Sequence, residues 1–109
     1  NPIMDDQSLI IDAAEGLVII LGCSHAGIIN ILNYAVAKTG KKQIHTVIGG
    51  THLGFLTEGE RQKSLSALVD MDIHRIGVSH CTGFEVSAQL AKQFGDKFFY
   101  CNVGTVVEV

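Results

Sequence analysis

Three times in this 109-residue chain an apolar, β-branched run gives way to a glycine turn that ends in histidine. The stretches are Gly22-Cys23-Ser24-His25, Gly49-Gly50-Thr51-His52 and Gly77-Val78-Ser79-His80. Their histidines stand 27 and then 28 positions apart and are three of the five in the chain. The recurrence constrains the fold to successive units of buried strand, glycine turn and helix. It is not a solenoid repeat, because the helices and loops share no motif beyond the turns themselves.

Read along the chain, Ser8 to Asp12 is a short strand, Asp12 to Gly16 a turn, and Leu17 to Leu21 a fully buried strand. Gly27 to Lys38 carries Ile28, Ile31, Leu32, Ala35 and Val36 at helical spacing, and Gly40 stands where a C-terminal cap belongs. Gln43 to Ile48 is the next strand, Gly49 to Thr57 a glycine-rich loop, and Thr57 to Val69 a helix whose Thr57 and Glu60 have capping-box form. Ile73 to Val78 is the third buried strand. A turn at Thr82-Gly83 follows, then a helix over Phe84 to Phe94 with Val86, Leu90, Ala91 and Phe94 inward. A strand or hairpin over Lys97 to Val109, bent at Gly104, is expected to close the chain.

Each repeated histidine thus stands where a strand ends and a helix is about to begin. In open α/β sheets that edge is where ligands bind, and glycine allows close backbone approach there. Three imidazoles on neighbouring strand ends can converge on one divalent metal. The competing reading is that each is a hydrogen-bonded loop histidine. Repetition favours the metal for His25 and His80, and leaves His52, whose turn lacks the serine of the others, evenly balanced. His45 and His74 lie inside strands and read as structural. Gly22, Ser24, Thr51, Ser79 and Thr82 line the same turns and are candidates for substrate contact, with helix N-termini able to receive an anion.

Two other chemistries present themselves. Gly22-Cys23-Ser24-His25-Ala26 approximates a nucleophile elbow, and Asp70 or Asp72 followed by His80 would complete a serine-hydrolase order. The final elbow glycine is replaced by Ala26, and capping is the simpler role for Ser24. Cys23 and Cys81 flank two of the histidines and can supply thiolates, although small buried thiols are commoner; Cys101 reads as core.

Composition narrows the partners. Eleven acidic and eight basic residues give a formal charge of -3, and no lysine cluster extends beyond Lys41 and Lys42, which argues against nucleic acid and anionic membranes. The longest apolar run, Leu17 to Leu21, is too short to span a bilayer, and no signal segment opens the chain, so a cytoplasmic protein is expected. Three cysteines without a C-x-x-C pair agree with a reducing compartment. The chain opens on Asn-Pro, which reads as a fragment or a processed product.

The stretches GLVIILGCSHAGIINIL, VIGGTHL and GVSHCTG, in that order and spacing, resemble the carboxyl-terminal half of the metallo-β-lactamase superfamily. The branch is that of the metal-dependent hydrolases of β-lactamase superfamily II, which includes the dihydropterin-methyl ribofuranosyl-aminobenzene phosphate synthases. The lead-in DDQSLIID is similar to that branch as well. The resemblance implies one half of an αββα sandwich over residues 1–109, with a mixed sheet, helices on one face and a metal site at the sheet edge. It implies His25 and His80 as metal ligands and gives His52 a metal or substrate role. The metal would be zinc, with manganese or iron as alternatives. The reaction would be attack by a metal-bound hydroxide on an ester, phosphoester or related bond of a small, phosphate-bearing molecule.

The superfamily's H-x-H-x-D-H motif is absent from the sequence. The chain is therefore expected to supply part of a metal site, to be inactive alone, and to pack against a missing N-terminal half or a second copy of itself. A non-catalytic anion- or protein-binding module is the alternative.

Overall fold

The computed structural model describes residues 7–24, 27–53, 56–79, 82, 84–101 and 105–107. Among the described residues the elements follow one another as β1 (Ser8–Ala13), β2 (Gly16–Leu21), α1 (Ile28–Thr39), β3 (Ile44–Gly50), α2 (Glu58–Asp70), β4 (Ile73–Ser79), α3 (Phe84–Phe94), a 3-10 turn (Gly95–Lys97) and β5 (Phe98–Tyr100). The strands form one mixed sheet in the order β1-β2-β3-β4-β5. β1 and β2 are an antiparallel hairpin, and β2 to β5 run parallel.

Each parallel connection passes through one helix and moves one strand along the sheet. Such crossovers are right-handed, so three in the same direction lay their helices on one face. α1 packs beside α2, and α2 beside α3, in agreement. The core lies between this helical layer and the sheet. Leu17, Ile19, Val47 and Ile76 from the strands meet Ile28, Leu32 and Ala35 of α1, Leu65 and Leu68 of α2, and Val86 and Leu90 of α3. The α1 residues recur at the three-to-four spacing that makes one helix face apolar.

Local signals set the ends of the elements. Gly40, with φ 75°, gives α1 a left-handed cap whose N–H bonds to the Val36 carbonyl. Thr57 caps α2 in a complete capping box with Glu60. β3 continues through Gly50, where a loop was expected from Gly49 onward. The reason is close strand approach: a Cβ on Gly49 would lie 2.3 Å from the Leu21 carbonyl oxygen, and its φ is 124°. Only glycine lets β2 and β3 stay paired to their ends.

Of the strand or hairpin expected over Lys97 to Val109, the described residues form a strand of three, Phe98–Tyr100, parallel to β4. Tyr100 pairs with Val78, next to the last residue of β4, so β5 runs out of partner as β4 ends. Cys101 consequently lies past the strand and is half-buried rather than core, although its N–H still bonds to the Val78 carbonyl. Gly83 and Gly104 lie outside the described residues.

The sheet's other face follows from strand alternation. The register aligns Leu9, Ile20, Ile48, Gly77 and Phe99 in one row across all five strands, and Ile11, Val18, Thr46 and Arg75 in the next. Leu9 is 57% and Ile11 42% exposed on this face, whereas Val18 and Thr46 in the row of Ile11 are buried. At Gly77 the Phe99 ring occupies the space of a side chain, 2.4 Å from where a Cβ would stand, and Arg75 places its guanidinium 4.6 Å over that ring.

Candidate functional site

Because β2, β3 and β4 are adjacent and parallel, the three histidine turns leave the same edge of the sheet side by side. Hydrogen bonds join each turn to the next. The Gly50 N–H donates to the Gly22 carbonyl at 3.0 Å, and Ser24 Oγ donates to the Gly50 carbonyl at 2.6 Å. Thr51 donates from both its N–H (3.2 Å) and its Oγ1 (2.9 Å) to Thr82 Oγ1, which in turn donates to the Ser79 carbonyl at 3.0 Å. The hydroxyls of Ser24, Thr51 and Thr82 are shielded from water, where an unmade hydrogen bond is costly, so the links fix the turns relative to one another.

Among the described residues, two that are not glycine adopt left-handed backbone, Ser24 with φ 62° and His52 with φ 60°. Both belong to these turns. Such strain is held only where neighbouring bonds over-determine the backbone, and it concentrates at functional sites.

Of the expected metal ligands, His52 is described: it is half-buried and lines a cleft of about 230 Å³. His25 and His80 lie outside the described residues, as does Cys81. Among the described residues no group of three histidine, cysteine, aspartate or glutamate side chains is gathered to hold a metal ion. His45 and His74 lie at the opposite, amino-terminal ends of β3 and β4 and so take no part in this edge.

The expected substrate-contacting residues divide. Gly22 is exposed and Ser79 half-buried, both at the edge. Ser24, Thr51 and Thr82 are 0%, 2% and 1% exposed, and their hydroxyls are engaged in the links just described. They position the turns. Ser24 does not cap α1 either, since the cap is Gly27 with no side-chain hydrogen bond. The serine-hydrolase reading is corrected on the same ground: the Ser24 proton is given to a carbonyl, and Asp70 and Asp72 lie at the far edge, before β4 begins. A seven-residue strand, roughly 20 Å, separates them from the turns.

The cleft also takes in Gly27 and Asn30 from the start of α1, and Glu60 and Ser64 from α2. Sequence reading reached Glu60 only as a cap, because its place beside His52 depends on α2 packing next to α1. α1 has no acidic residue in its own first turn, and Glu60 of α2 shares the cleft with its amino end.

An α/β sheet with helices on one face and histidine turns at its carboxyl edge is the arrangement of a β-lactamase-like fold. The crystal structure of Tm1679, a metal-dependent hydrolase of the β-lactamase superfamily, superposes with a TM-score of 0.86 at 34% identity, covering 94% of this chain and 40% of that one. Two proteins of Methanocaldococcus jannaschii are similar in sequence. The 7,8-dihydropterin-6-methyl-4-(beta-D-ribofuranosyl)-aminobenzene-5'-phosphate synthase is 29% identical over 95% of this chain, and the uncharacterized protein MJ0448 is 34% identical over 100%. The chain spans 35% and 39% of their respective lengths. No protein-family model matches. By sequence and fold together, the chain is a homologue of the metal-dependent hydrolases of the β-lactamase superfamily.

Proposed function

We propose that the chain is one half of a metal-dependent hydrolase, the carboxyl-terminal half, and that its carboxyl-edge turns supply His25 and His80, with His52, to a divalent metal site. The donor chemistry suits the group: neutral imidazoles are ligands for zinc, and for iron or manganese in mixed sets. The observation that carries the reading is the pair of hydrogen-bonded links, Ser24 to Gly50 and Thr51 to Thr82, which tie together the three turns that bear these histidines. When bound, a divalent metal lowers the pKa of a coordinated water and polarises the bond to be cleaved.

The chain's own residues prepare the site. The links among Gly22, Ser24, Gly50, Thr51, Ser79 and Thr82 hold the turns relative to one another. The amino end of α1, open to the cleft, favours a negatively charged part of a small-molecule substrate such as a phosphate. Remaining ligands and the proton-transferring acid are assigned to a segment outside this chain, in line with the 40% coverage of the solved homologue.

The test is metal analysis and turnover of a protein that joins this chain to that segment. The expected result is stoichiometric metal and metal-dependent phosphoester or ester hydrolysis. His25→Ala and His80→Ala should each lower both the metal content and kcat/KM, the latter by at least about 100-fold. A folded protein without stoichiometric metal would overturn the reading in favour of an anion- or protein-binding module.

A further inference from the structure

The cleft beside His52 has two walls of opposite electrostatic character. One is the start of α1, capped by Gly27 with no side-chain hydrogen bond at the cap and no acidic residue in the first turn. The other is α2, which brings Glu60 and, one turn further on, Ser64. Ile28, Leu53 and Leu56 add apolar lining. At about 230 Å³ the cleft is smaller than pockets that enclose drug-sized ligands, roughly 300–1,000 Å³, and its size suits a small molecule.

We infer that Glu60 is a specificity-determining residue of this cleft, and that the ligand it selects carries a hydrogen-bond donor, a hydroxyl or an ammonium group, in addition to the anionic group directed to α1. The inference rests on the assignment of the cleft to a small-molecule substrate. A carboxylate on one wall repels an anion and leaves it the α1 end, so the part of the ligand next to Glu60 has to donate. An ionised carboxylate accepts hydrogen bonds through either oxygen and donates through neither.

The capping box fixes this carboxylate without using all of it. The Thr57 N–H and Oγ1 both donate to Glu60 Oε1, at 3.2 and 2.8 Å, so the cap anchors one oxygen and makes no bond to Oε2. Those bonds, the side-chain bond foremost, also hold the carboxyl below its ordinary value, which keeps it charged at neutral pH. An acceptor already held in place loses less freedom when a ligand binds. Ser64 is half-buried four positions along the same helix, and its hydroxyl supplies a second acceptor on the same wall.

The experiment compares three phosphate monoesters that differ only at the far end of a two-carbon chain: ethyl phosphate, 2-hydroxyethyl phosphate and 2-aminoethyl phosphate. Each is titrated, without metal and at low salt, into the 109-residue chain and into its Glu60→Gln variant. NMR follows the Gly27 and Ser64 amides and the side-chain carbonyl carbon of residue 60. The two donor-bearing esters are expected to bind the parent chain about three- to fivefold more tightly than ethyl phosphate, the scale of an exposed charged contact. In Glu60→Gln the advantage of the ammonium ester should disappear. Glutamine keeps the capping-box form, so the helix is retained, and circular dichroism checks it. The ratio between the hydroxyl and ammonium esters identifies the donor. Three esters of equal affinity, an ammonium preference that survives Glu60→Gln, or no binding by any ester at tens of millimolar would overturn the inference. Metal content and turnover test the metal site separately, so either reading can fail alone.

Discussion

At the residue scale, the glycines and hydroxyls of the three turns have separable duties. Gly49 keeps β2 and β3 together, and an added Cβ would strike backbone, which cannot step aside. Gly49→Ala is expected to destabilise by about 3 kcal/mol or more, whereas Gly40→Ala, where a Cβ meets nothing, should cost about 1 kcal/mol from its left-handed φ alone. Urea unfolding midpoints check the contrast, and equal losses would refute it. Thr82 accepts two buried hydrogen bonds from Thr51 of the second turn and donates a third, part-buried, to the Ser79 carbonyl within its own turn. Thr82→Val should therefore cost about 2–3 kcal/mol, with unpaired groups left on Thr51 and Ser79. A loss within experimental error would show that this link does not fix the turns.

Among the elements, α2 depends most on its cap. It is polar along most of its length and buries only Leu65 and Leu68. Thr57 Oγ1 donates to Glu60 Oε1, the Thr57 N–H donates to the same carboxylate, and the Glu60 N–H donates back to Thr57 Oγ1. The two bonds from Thr57, the side-chain bond foremost, hold the Glu60 carboxyl below its ordinary value. A carboxyl whose folded value is depressed adds stability above its unfolded value, and the contribution is lost as pH falls through the folded one. Thr57→Ala should thus cost about 1 kcal/mol at neutral pH and flatten the dependence of stability on pH in the acid range. Unfolding curves at neutral and acid pH measure both, and a Thr57→Ala chain with the same acid sensitivity as the parent would contradict the assignment.

On the scale of the whole molecule, one layer of helices covers one face of the sheet, and on the other Leu9 and Ile11 of β1 are exposed while Val18 and Thr46, in the row of Ile11, are buried. Two exposed apolar side chains on one edge strand fit a surface that meets another polypeptide. A sheet-to-sheet partner about 10 Å away is the arrangement expected from the αββα resemblance. The isolated chain is expected to bind a hydrophobic dye and to self-associate at micromolar concentration. Ile11→Lys should lower both, with a stability change within about 0.5 kcal/mol because the position is 42% exposed. Sedimentation as a monomer that ignores the dye would show that this face needs no cover.

The sequence by itself determined the order of strand and helix, the capping box at Thr57, the Gly40 cap and the inward faces of α1 and α3, because these signals lie within a few residues of one another. It also singled out the three turns and their resemblance to β-lactamase-superfamily hydrolases. Tertiary structure alone decided that the Ser24 hydroxyl meets the Gly50 carbonyl and the Thr51 hydroxyl meets that of Thr82 across strand ends. Those partners are 26 and 31 positions apart, and no local pattern records which carbonyl or hydroxyl lies opposite. The length of β5 was decided the same way, by how far β4 extends. The approach of the His45 and His74 rings to 5.1 Å, read from the sequence as two unrelated structural residues, came from the register of parallel strands, which is fixed only when the helices pack and the sheet closes its ladder.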